Sequence, residues 1–293
     1  MRVLVTGGSG YIGRPVVAAL IASGHEVHVV SRRRDAVPGA TVHHGHLLES
    51  GTPQAVIAKA RPHAVLHIAW EATPGVYWTS HDNPRWLDAT VALARAARDH
   101  GATRFVGVGS SAEYDWTAGH CDEVGTPLVP ATPYGRAKLA ACVGVSAMNQ
   151  PGFSTAWGRV FFLFGGDEHP SRLVPSVALA IGRGEPARCS HGEQQRDFLH
   201  VDDVAGALVA LLRSDVTGAV NIASGDAHQV REVIEGLATR LGRPDLVHLG
   251  AIEAQGPLVL TAGARRLRDE VGWRPRLSFD DALDKAAEYW QSR

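Results

Sequence analysis

The sequence predicts an α/β fold in which a doubly wound parallel sheet is covered on both faces by helices and closed by a smaller C-terminal lid. Two observations predict it. Short apolar runs rich in β-branched residues alternate with helical segments through the first half of the chain, which is the pattern of a parallel sheet. The first run leads directly into a glycine-rich turn and a helix. Open sheets of this kind bind ligands at the carboxyl ends of their strands.

The first half of the chain is predicted to contain five strands with helices between them. The strands are expected at residues 2–6, 25–31, 40–44, 64–69 and 105–110. Helices are expected at residues 15–23, 52–59 and 87–100, with a further helix after Pro133. Gly24 and Gly101 follow the first and third of these helices, at the position where glycine commonly ends a helix.

The second half is less regular. Two more strands of the same sheet are expected at residues 154–160 and 219–224, and helices at 173–181, 203–213, 229–241, 264–271 and 278–291. Asp202 is the predicted N-cap of the helix at 203–213, and Ser278 with Asp281 is predicted to cap the last one. This section is too small to be an independent catalytic unit, so we expect it to form the lid.

Composition limits the possible partners. The chain has 293 residues and a net charge of -1, so it can bury a sizeable core and has no charge that favours nucleic acid or an anionic membrane. No stretch has the length of a membrane span. The three cysteines are far apart, without a Cys-x-x-Cys. We therefore expect a cytoplasmic protein without a metal site.

The glycine-rich turn reads Thr-Gly-Gly-Ser-Gly-Tyr-Ile-Gly at residues 6–13. Glycines let a backbone approach a pyrophosphate closely, and the N-terminus of the following helix offers free N–H groups and a partial positive charge. A glycine triplet is specific only between a strand and a helix, and this one lies there. We predict a Rossmann-type dinucleotide-binding domain at residues 1–164, with 197–224 returning to it. Residues 165–196 and 225–293 form the predicted substrate-binding domain.

The end of the second strand indicates which dinucleotide binds. NAD-binding folds usually carry an acidic residue there, about twenty residues past the glycines. Here Ser31 is followed by Arg32, Arg33 and Arg34, and the first carboxylate is Asp35. Guanidinium groups bind a 2′-phosphate that a carboxylate would repel. We predict NADP as cofactor, with NAD less favoured, and Arg32 as the phosphate ligand; a solvated basic turn is the alternative.

A tyrosine and a lysine four residues apart form the predicted catalytic pair. Tyr134 and Lys138 would lie on one face of a helix. A free tyrosine has a pKa of about 10, and a nearby ammonium favours its ionised form. The fifth strand ends in Ser110 and Ser111, and a hydroxyl there could bind a substrate oxygen. We favour Ser111 over Ser110, and Glu113 is predicted to face the substrate or to be a solvated loop carboxylate.

Three aromatic residues follow the fourth strand. Trp70, Tyr77 and Trp78 lie within nine positions of each other. They could line a sugar pocket, since aromatic rings stack on apolar faces. Packing of a long loop is the alternative.

The chain resembles the extended short-chain dehydrogenase/reductase superfamily, in its nucleotide-sugar epimerase and dehydratase branch. The resemblance rests on five segments and runs along essentially the whole chain: residues 6–13, 110–111, 133–138, 196–203 and 271–275. It implies that Tyr134 is the general acid/base, that Lys138 holds the nicotinamide ribose, and that Ser111 binds the reacting sugar oxygen. The predicted cofactor contacts are Gly7, Gly10, Tyr11, Ile12, Gly13, Ser31, Arg32, His46, Leu47, Ala69, Tyr134 and Lys138.

The resemblance also implies a nucleotide-diphosphate sugar as substrate. Arg196 would hold a nucleotide phosphate, and Arg172 lies in a segment similar to the thymidine-diphosphate loop of glucose 4,6-dehydratases. A homodimer would form through helices at residues 87–100 and 134–149.

Three positions depart from the family pattern. His46 stands where relatives often carry an aspartate near the adenine, and Phe162 stands where many epimerases carry an asparagine. Dehydratases have an Asp–Glu pair after the catalytic hydroxyl, whereas this chain has Ala112 and Glu113. Dehydration is therefore disfavoured.

These observations and the resemblance predict NADPH-dependent reduction of a nucleotide-linked 4-keto-6-deoxyhexose at C4, with dTDP as the favoured nucleotide. Hydride would pass to C4 while Tyr134 protonates the oxygen and Ser111 orients the carbonyl. A nucleotide-sugar 4-epimerase that keeps its NAD(P) bound is the alternative. A regulator that binds NADP without catalysis is a minor alternative.

Overall fold

The computed structural model describes residues 1–32 and 37–293. Arg33, Arg34 and Asp35 of the predicted basic turn lie outside these ranges. The strands are β1 Arg2–Thr6, β2 Glu26–Ser31, β3 Thr41–His44, β4 Ala64–His67, β5 Arg104–Ser110, β6 His120–Cys121, β7 Ser154–Val160, β8 Phe162–Phe164, β9 Ala187–Arg188, β10 Gln195–His200, β11 Gly218–Ile222, β12 Ala227–Gln229, β13 Val247–His248 and β14 Val259–Ala262. The helices are α1 Gly13–Ala22, α2 Thr52–Ala60, α3 Asn83–Asp99, α4 Pro133–Ser146, α5 Leu173–Gly182, α6 Val201–Arg213, α7 Val230–Arg240, α8 Arg265–Asp269 and α9 Phe279–Gln291.

The main sheet is parallel, with the strand order β3-β2-β1-β4-β5-β7-β11. The chain winds outwards from β1 in both directions, so the strand order reverses between β1 and β4. Such a switch point creates a crevice at the carboxyl ends of the strands. The predicted doubly wound α/β fold is confirmed.

Both faces of this sheet are buried, which explains why its strands read as continuous apolar runs. One core lies between the sheet and the helices α1 and α6, with Val17 and Leu208 at its centre. A second core on the opposite face includes Ile57 from α2, Leu93 from α3 and Ala141 from α4. The helices therefore cover the sheet as the βα rhythm predicts.

A smaller sheet and a third core lie beyond the main sheet. The smaller sheet has the order β12-β10-β14-β6, with β8 also paired to β10. The third core is formed by α5, α7 and α9, which pack around residues such as Ile181, Leu237 and Leu283. The sequence did not predict this second sheet.

The starts of α6 and α9 test the two caps that the sequence predicts. The predicted N-cap Asp202 is wrong, because α6 begins at Val201, two residues earlier than expected, and His200 is its cap: the ring Nδ1 accepts a bond from the Asp202 backbone nitrogen at 3.2 Å. The predicted cap of α9 is confirmed. Ser278 Oγ accepts from the Asp281 nitrogen at 3.1 Å, and the Asp281 carboxylate accepts from the Ser278 nitrogen. None of the helices within the described ranges has the length and apolar character to cross a bilayer.

Candidate active site

The glycine turn between β1 and α1 forms a cradle that side chains would fill. Gly7 has a φ of +72°, and a Cβ on it would come 2.8 Å from the Ala69 nitrogen. A Cβ on Gly13 would collide with the Gly7 carbonyl oxygen. Both positions therefore need glycine. The space kept open at the N-terminus of α1 fits a pyrophosphate, which backbone N–H groups and the helix dipole attract.

A cavity of about 730 Å³ opens in front of this cradle, at the carboxyl ends of the sheet strands. Its wall includes each residue predicted to contact a cofactor: Gly7, Gly10, Tyr11, Ile12, Gly13, Ser31, Arg32, His46, Leu47, Ala69, Tyr134 and Lys138. The site has the volume typical of ligand pockets. Its residues fit a dinucleotide with the pyrophosphate at the glycine turn.

The end of β2 forms one extremity of the cavity. Ser31 is buried and the following Arg32 is exposed, and both line the cavity. The His46 ring lies 6.2 Å from the Trp86 ring, and its Nδ1 accepts from the Leu48 nitrogen at 3.2 Å. This end of the cavity therefore offers a guanidinium and an aromatic wall. Within the described ranges, no three His, Cys, Asp or Glu side chains are grouped to hold a metal ion.

Tyr134 lies in the first turn of α4, enclosed by aromatic rings. Thr132 caps this helix through a bond from the Gly135 nitrogen at 3.1 Å. The edges or faces of Tyr77, Trp78 and Trp70 meet the Tyr134 ring at centroid distances of 4.9, 5.6 and 6.2 Å. Burial raises the pKa of the phenol, although a hydrogen bond with Ser110 opposes the rise. The sequence predicts that an ammonium lowers this pKa, whereas in the structure burial has the larger effect and raises it.

Lys138 lies one helical turn further along α4 and is almost fully buried. Its Nζ donates to the Val108 carbonyl at 2.7 Å and lies 5.9 Å from the centre of the Tyr134 ring. Burial lowers the pKa of this ammonium to about 7, and the Glu113 carboxylate opposes that fall. The predicted neighbours Tyr134 and Lys138 are thus brought together at the cavity.

Ser110 and Ser111 both line the cavity at the end of β5. Ser110 Oγ accepts from the Ala112 nitrogen at 3.2 Å, and its side chain is the one bonded to Tyr134. Ser111 begins the 3-10 turn at residues 111–113, and its carbonyl accepts from Trp116 Nε1 at 2.8 Å. The structure therefore gives Ser110 a direct contact with the tyrosine and leaves Ser111 on the same wall.

Glu113 neither lines the cavity nor is exposed to solvent, although the sequence predicted one or the other. Its side chain has no exposed surface. One carboxylate oxygen accepts from the Ser110 nitrogen and from Trp157 Nε1, each at 2.9 Å, and the other accepts from Arg159 Nε at 2.8 Å. The carboxylate is turned away because a buried guanidinium pairs with it behind the sheet edge.

The two arginines that were predicted to bind the substrate lie in different places in the structure. Arg172 lines the cavity, and its guanidinium lies 5.6 Å from the centre of the Tyr77 ring. Arg196 is buried outside the cavity wall, where it donates to the carbonyls of Pro257 and Leu258 at 2.7 and 3.4 Å. The predicted phosphate role of Arg196 is not supported by this placement, because its guanidinium lies outside the cavity wall and both terminal nitrogens donate to backbone oxygens.

An aromatic wall surrounds Tyr134. Trp70, Tyr77 and Trp78 line the cavity, which favours the sugar-pocket interpretation over simple loop packing. Trp86 and Trp116 also line it and were not predicted. The ring of Trp116 lies 6.0 Å from that of Trp78, although the two residues are 38 positions apart. Aromatic faces of this kind bind the C–H face of a pyranose ring.

Glu168 lines the cavity but was not predicted from the sequence. It lies opposite Tyr11, and both side chains line the cavity. Among the described residues, neither Glu168 Oε2 nor the Tyr11 hydroxyl has a hydrogen-bond partner, although both atoms are buried. Burial raises the pKa of Glu168 to about 8, and the Arg172 guanidinium moderates the rise. Only the position of the residue in the long loop after β8 could have indicated it.

The neighbouring Asp167 joins three parts of the molecule. Its backbone has a φ of +61°, a left-handed conformation that is uncommon for a residue with a side chain. Its carboxylate accepts from Arg14 at 3.4 Å and from the Tyr289 hydroxyl at 2.6 Å. Asp167 therefore ties the loop after β8 to the first turn of α1 and to α9.

Comparison with known proteins shows which family this chain is similar to. Residues 3–223 match the model of the NAD dependent epimerase/dehydratase family. The chain is 30% identical to the UDP-glucose 4-epimerase of Streptomyces lividans, covering 99% of this chain and 96% of the relative. It is 27% identical to the dTDP-6-deoxy-L-talose 4-dehydrogenase (NAD(P)(+)) of Kitasatospora kifunensis, covering 100% and 95% of the two chains.

A solved structure has the same fold over its whole length. MoeE5 in complex with UDP-glucose and NAD is 30% identical to this chain and superposes with a TM-score of 0.84. The match covers 100% of this chain and 99% of MoeE5. The comparison therefore includes the C-terminal section that the family model leaves out.

Proposed function

The chain belongs to the NAD-dependent epimerase/dehydratase family, and we propose that it is an NADPH-dependent reductase of a nucleotide-linked 4-keto-6-deoxyhexose, acting at C4. The nucleotide we propose is thymidine diphosphate. The main support is that one cavity is lined both by the Tyr134–Lys138 pair and by Ser31 and Arg32 at the end of β2. The Kitasatospora kifunensis relative supports the same carbon, because its name describes a 4-dehydrogenase of a dTDP-linked 6-deoxyhexose.

We propose that the cofactor is held by the cavity residues named above, with its pyrophosphate on the glycine turn. Arg32 would bind the 2′-phosphate of NADP, because an exposed guanidinium there can donate two hydrogen bonds to it. MoeE5 is described with NAD, so NAD remains the less favoured alternative. When bound, the nicotinamide supplies hydride exchange at C4 of the sugar.

The residues of the chain handle the proton and the orientation of the substrate. Tyr134 would transfer its phenolic proton to the C4 oxygen, and Lys138 would stabilise the phenolate that remains. Ser111 would donate to the C4 carbonyl and orient it, while Ser110 bonds to the tyrosine hydroxyl. The aromatic wall of Trp70, Tyr77 and the neighbouring tryptophans would exclude water from this region.

We propose that residues 1–164 with 197–224 bind the dinucleotide and that residues 165–196 and 225–293 bind the nucleotide sugar. The separate core of α5, α7 and α9 supports this division. Arg172 lies at the start of α5 and lines the cavity. It is therefore the guanidinium that we propose for the nucleotide diphosphate.

We also propose a homodimer through α3 and α4. These two helices pack side by side on one face of the sheet. Val143 of α4 is 62% exposed, which is unusual for an apolar residue within a helix. Static light scattering would test this arrangement, and replacing Val143 by Glu should weaken the dimer if the helices form the interface.

Epimerisation at C4 is a second candidate, favoured by the relatives. The Streptomyces lividans enzyme is a UDP-glucose 4-epimerase, and the same tyrosine, lysine and serine would serve both reactions. The two reactions differ in the fate of the cofactor. A reductase consumes NADPH, whereas an epimerase restores its bound cofactor in each cycle.

One assay distinguishes the two candidates. The protein is incubated with NADPH and dTDP-4-keto-6-deoxyglucose, and cofactor oxidation is followed by absorbance at 340 nm, roughly the absorption maximum of the reduced nicotinamide. Oxidation that disappears in Tyr134→Phe, while NADPH binding by fluorescence persists, supports the reductase. Absence of oxidation, together with interconversion of UDP-glucose and UDP-galactose without added cofactor, rejects it in favour of the epimerase.

A further inference from the structure

We propose that Glu113 is a positioning residue: from behind the sheet it holds the end of β5 that carries Ser110 and Ser111, here called the reacting edge, and its negative charge acts on Lys138. The kinetic consequences of this inference rest on the proposed function. Its structural basis is the set of hydrogen bonds that Glu113 makes within the chain. The Glu113 side chain is fully buried and does not line the cavity.

The carboxylate of Glu113 holds the backbone that carries the hydroxyls. Its Oε1 accepts from the Ser110 nitrogen at 2.9 Å, and the Ser110 side chain in turn accepts from the Ala112 nitrogen. These two bonds close the turn that follows β5. The turn that carries Ser110 and Ser111 is therefore held by one buried carboxylate.

The other side of the carboxylate is anchored to the neighbouring strands. Arg159 of β7 is 2% exposed and donates to Glu113 Oε2 at 2.8 Å and to the Tyr114 hydroxyl at 3.0 Å. That hydroxyl donates to the Asn221 side chain in β11 at 2.7 Å. The reacting edge is thus connected across β5, β7 and β11 by a continuous chain of buried hydrogen bonds.

A glycine makes the approach of the carboxylate possible. A Cβ on Gly109 would collide with Glu113 Oε1 and with Trp157 Nε1. Gly109 pairs with Arg159 in the sheet register, so the missing side chain lies where the ion pair forms. The strand end is therefore built around this contact.

Stability alone does not account for such an arrangement. A buried ion pair gains little net free energy over apolar side chains of similar volume, because both charges lose their hydration. It does impose a unique geometry, since each oxygen must meet its donors. Fixing the reacting edge is a role that this geometry serves directly.

The charge of Glu113 also acts on the catalytic pair. It raises the pKa of Lys138 against the larger effect of burial, and it also raises the pKa of Tyr134. The other groups around Lys138 are Trp70, Tyr134 and the buried His67, whose own pKa the lysine lowers. Around Tyr134 they are Tyr77, Ser110 and Arg172. Glu113 is therefore the anion that favours the charged form of Lys138.

The test measures Lys138 directly and needs no substrate. The chain has three lysines, Lys59, Lys138 and Lys285, so ¹³Cε-lysine NMR gives few signals, and K138M assigns the one of interest. In Glu113→Gln we expect the titration midpoint of Lys138 to fall by about one pH unit. The matched control is Asp203→Asn. Asp203 is a buried carboxylate that accepts from the Arg276 and Leu277 nitrogens, and its loss should leave the midpoint unchanged.

Kinetics test the positioning role. Since Glu113 does not contact the cavity, Glu113→Gln should lower kcat by at least about tenfold with little change in KM, and should move the alkaline limb of the pH profile to lower pH. Glu113→Asp keeps the charge but shortens the reach to the Ser110 nitrogen. It should therefore keep the Lys138 midpoint near that of the parent while kcat remains low.

The outcomes separate this inference from the proposed function. An unchanged Lys138 midpoint in a folded Glu113→Gln protein overturns it, as does unchanged kcat in both Glu113 variants. If the single variant does not fold, the double variant Glu113→Gln with Arg159→Met removes both charges and must still give a fall in midpoint, a smaller one because the repulsive charge of Arg159 is lost as well. If the parent protein does not oxidise NADPH, the proposed function fails, whereas the NMR result still decides whether Glu113 controls Lys138.

Discussion

The ammonium group of Lys138 lies 4.0 Å from the centre of the Trp70 ring. Trp70 follows β4 by three residues, and its Nε1 donates to the side chain of the fully buried Asn83 at 2.9 Å. Asn83 in turn donates to the Tyr77 carbonyl at 2.8 Å. The first residue of α3 thus orients the indole ring whose face attracts the positive charge of the Lys138 ammonium.

Replacing Trp70 by Leu should remove this cation–π contact. We expect the pKa of Lys138 to fall further and kcat/KM at neutral pH to fall by about tenfold, since such contacts contribute about 0.5 to 2 kcal/mol. Trp70→Phe keeps an aromatic face and should lose less. The pH dependence of kcat/KM checks both variants, and equal losses in the two would contradict a role for the ring face.

The two serines of the reacting edge can be separated by single substitutions. Ser111→Ala should lower kcat by about a hundredfold, because the donor that orients the carbonyl is lost. Ser110→Ala should lower kcat less, by about tenfold, and should raise the pKa of Tyr134 further, because the hydrogen bond that opposes the rise is lost. Rate measurements from pH 6 to 10, a range of about four units around the pKa values of lysine and tyrosine, check this order. The reverse order would assign the carbonyl to Ser110.

The choice of cofactor depends on the end of β2. Arg32→Ala should raise the KM for NADPH by about tenfold and leave the KM for NADH unchanged, because only NADPH has the 2′-phosphate. Ser31→Asp should increase the effect through repulsion. Arg98→Ala is the matched control, since Arg98 is on α3 and pairs with Asp99 outside the cavity. Equal changes for both cofactors would refute the assignment to NADP.

Glu168 should make the stability of the protein depend on pH. Its pKa is raised to about 8 in the folded protein, so the folded state binds the proton more tightly than the unfolded chain. The contribution is therefore complete below about pH 4.5 and is lost as the pH rises towards 8. In Glu168→Gln this loss should be absent. Urea unfolding at about pH 5 and about pH 9 checks it, on either side of the raised pKa, and an equal decrease in both proteins would exclude Glu168 as the cause.

The main sheet could be predicted because each of its strands is a local apolar run followed by a helix. β5 and β7 are recognisable from their own residues, and their partners follow from the regular winding of the chain. The second sheet could not be predicted in this way. β10 reads Gln-Arg-Asp-Phe-Leu-His, without an alternating pattern, and it pairs with β8, β12 and β14 from distant parts of the chain.

The sequence predicted which residues lie at the candidate site better than it predicted where their side chains point. Tyr134 and Lys138 share a helix, so their spacing alone brings them together. The direction of Glu113 depends on Arg159, 46 positions later, and that of Arg196 depends on carbonyl groups 61 and 62 positions later. A motif records the residue type at a position, whereas these orientations arise from partners that have no fixed spacing.

Asp167 has a mechanical consequence for the last helix. Its carboxylate holds both Arg14, beside the glycine turn, and Tyr289, near the C-terminal end of α9. The adjacent residue Glu168 lies on the cavity wall. The last helix of the chain is therefore coupled by two bonds to the mouth of the cofactor cradle. Any outward swing of α9 away from α1 must therefore stretch or break at least one of these two bonds, so Asp167 resists separation of the last helix from the first.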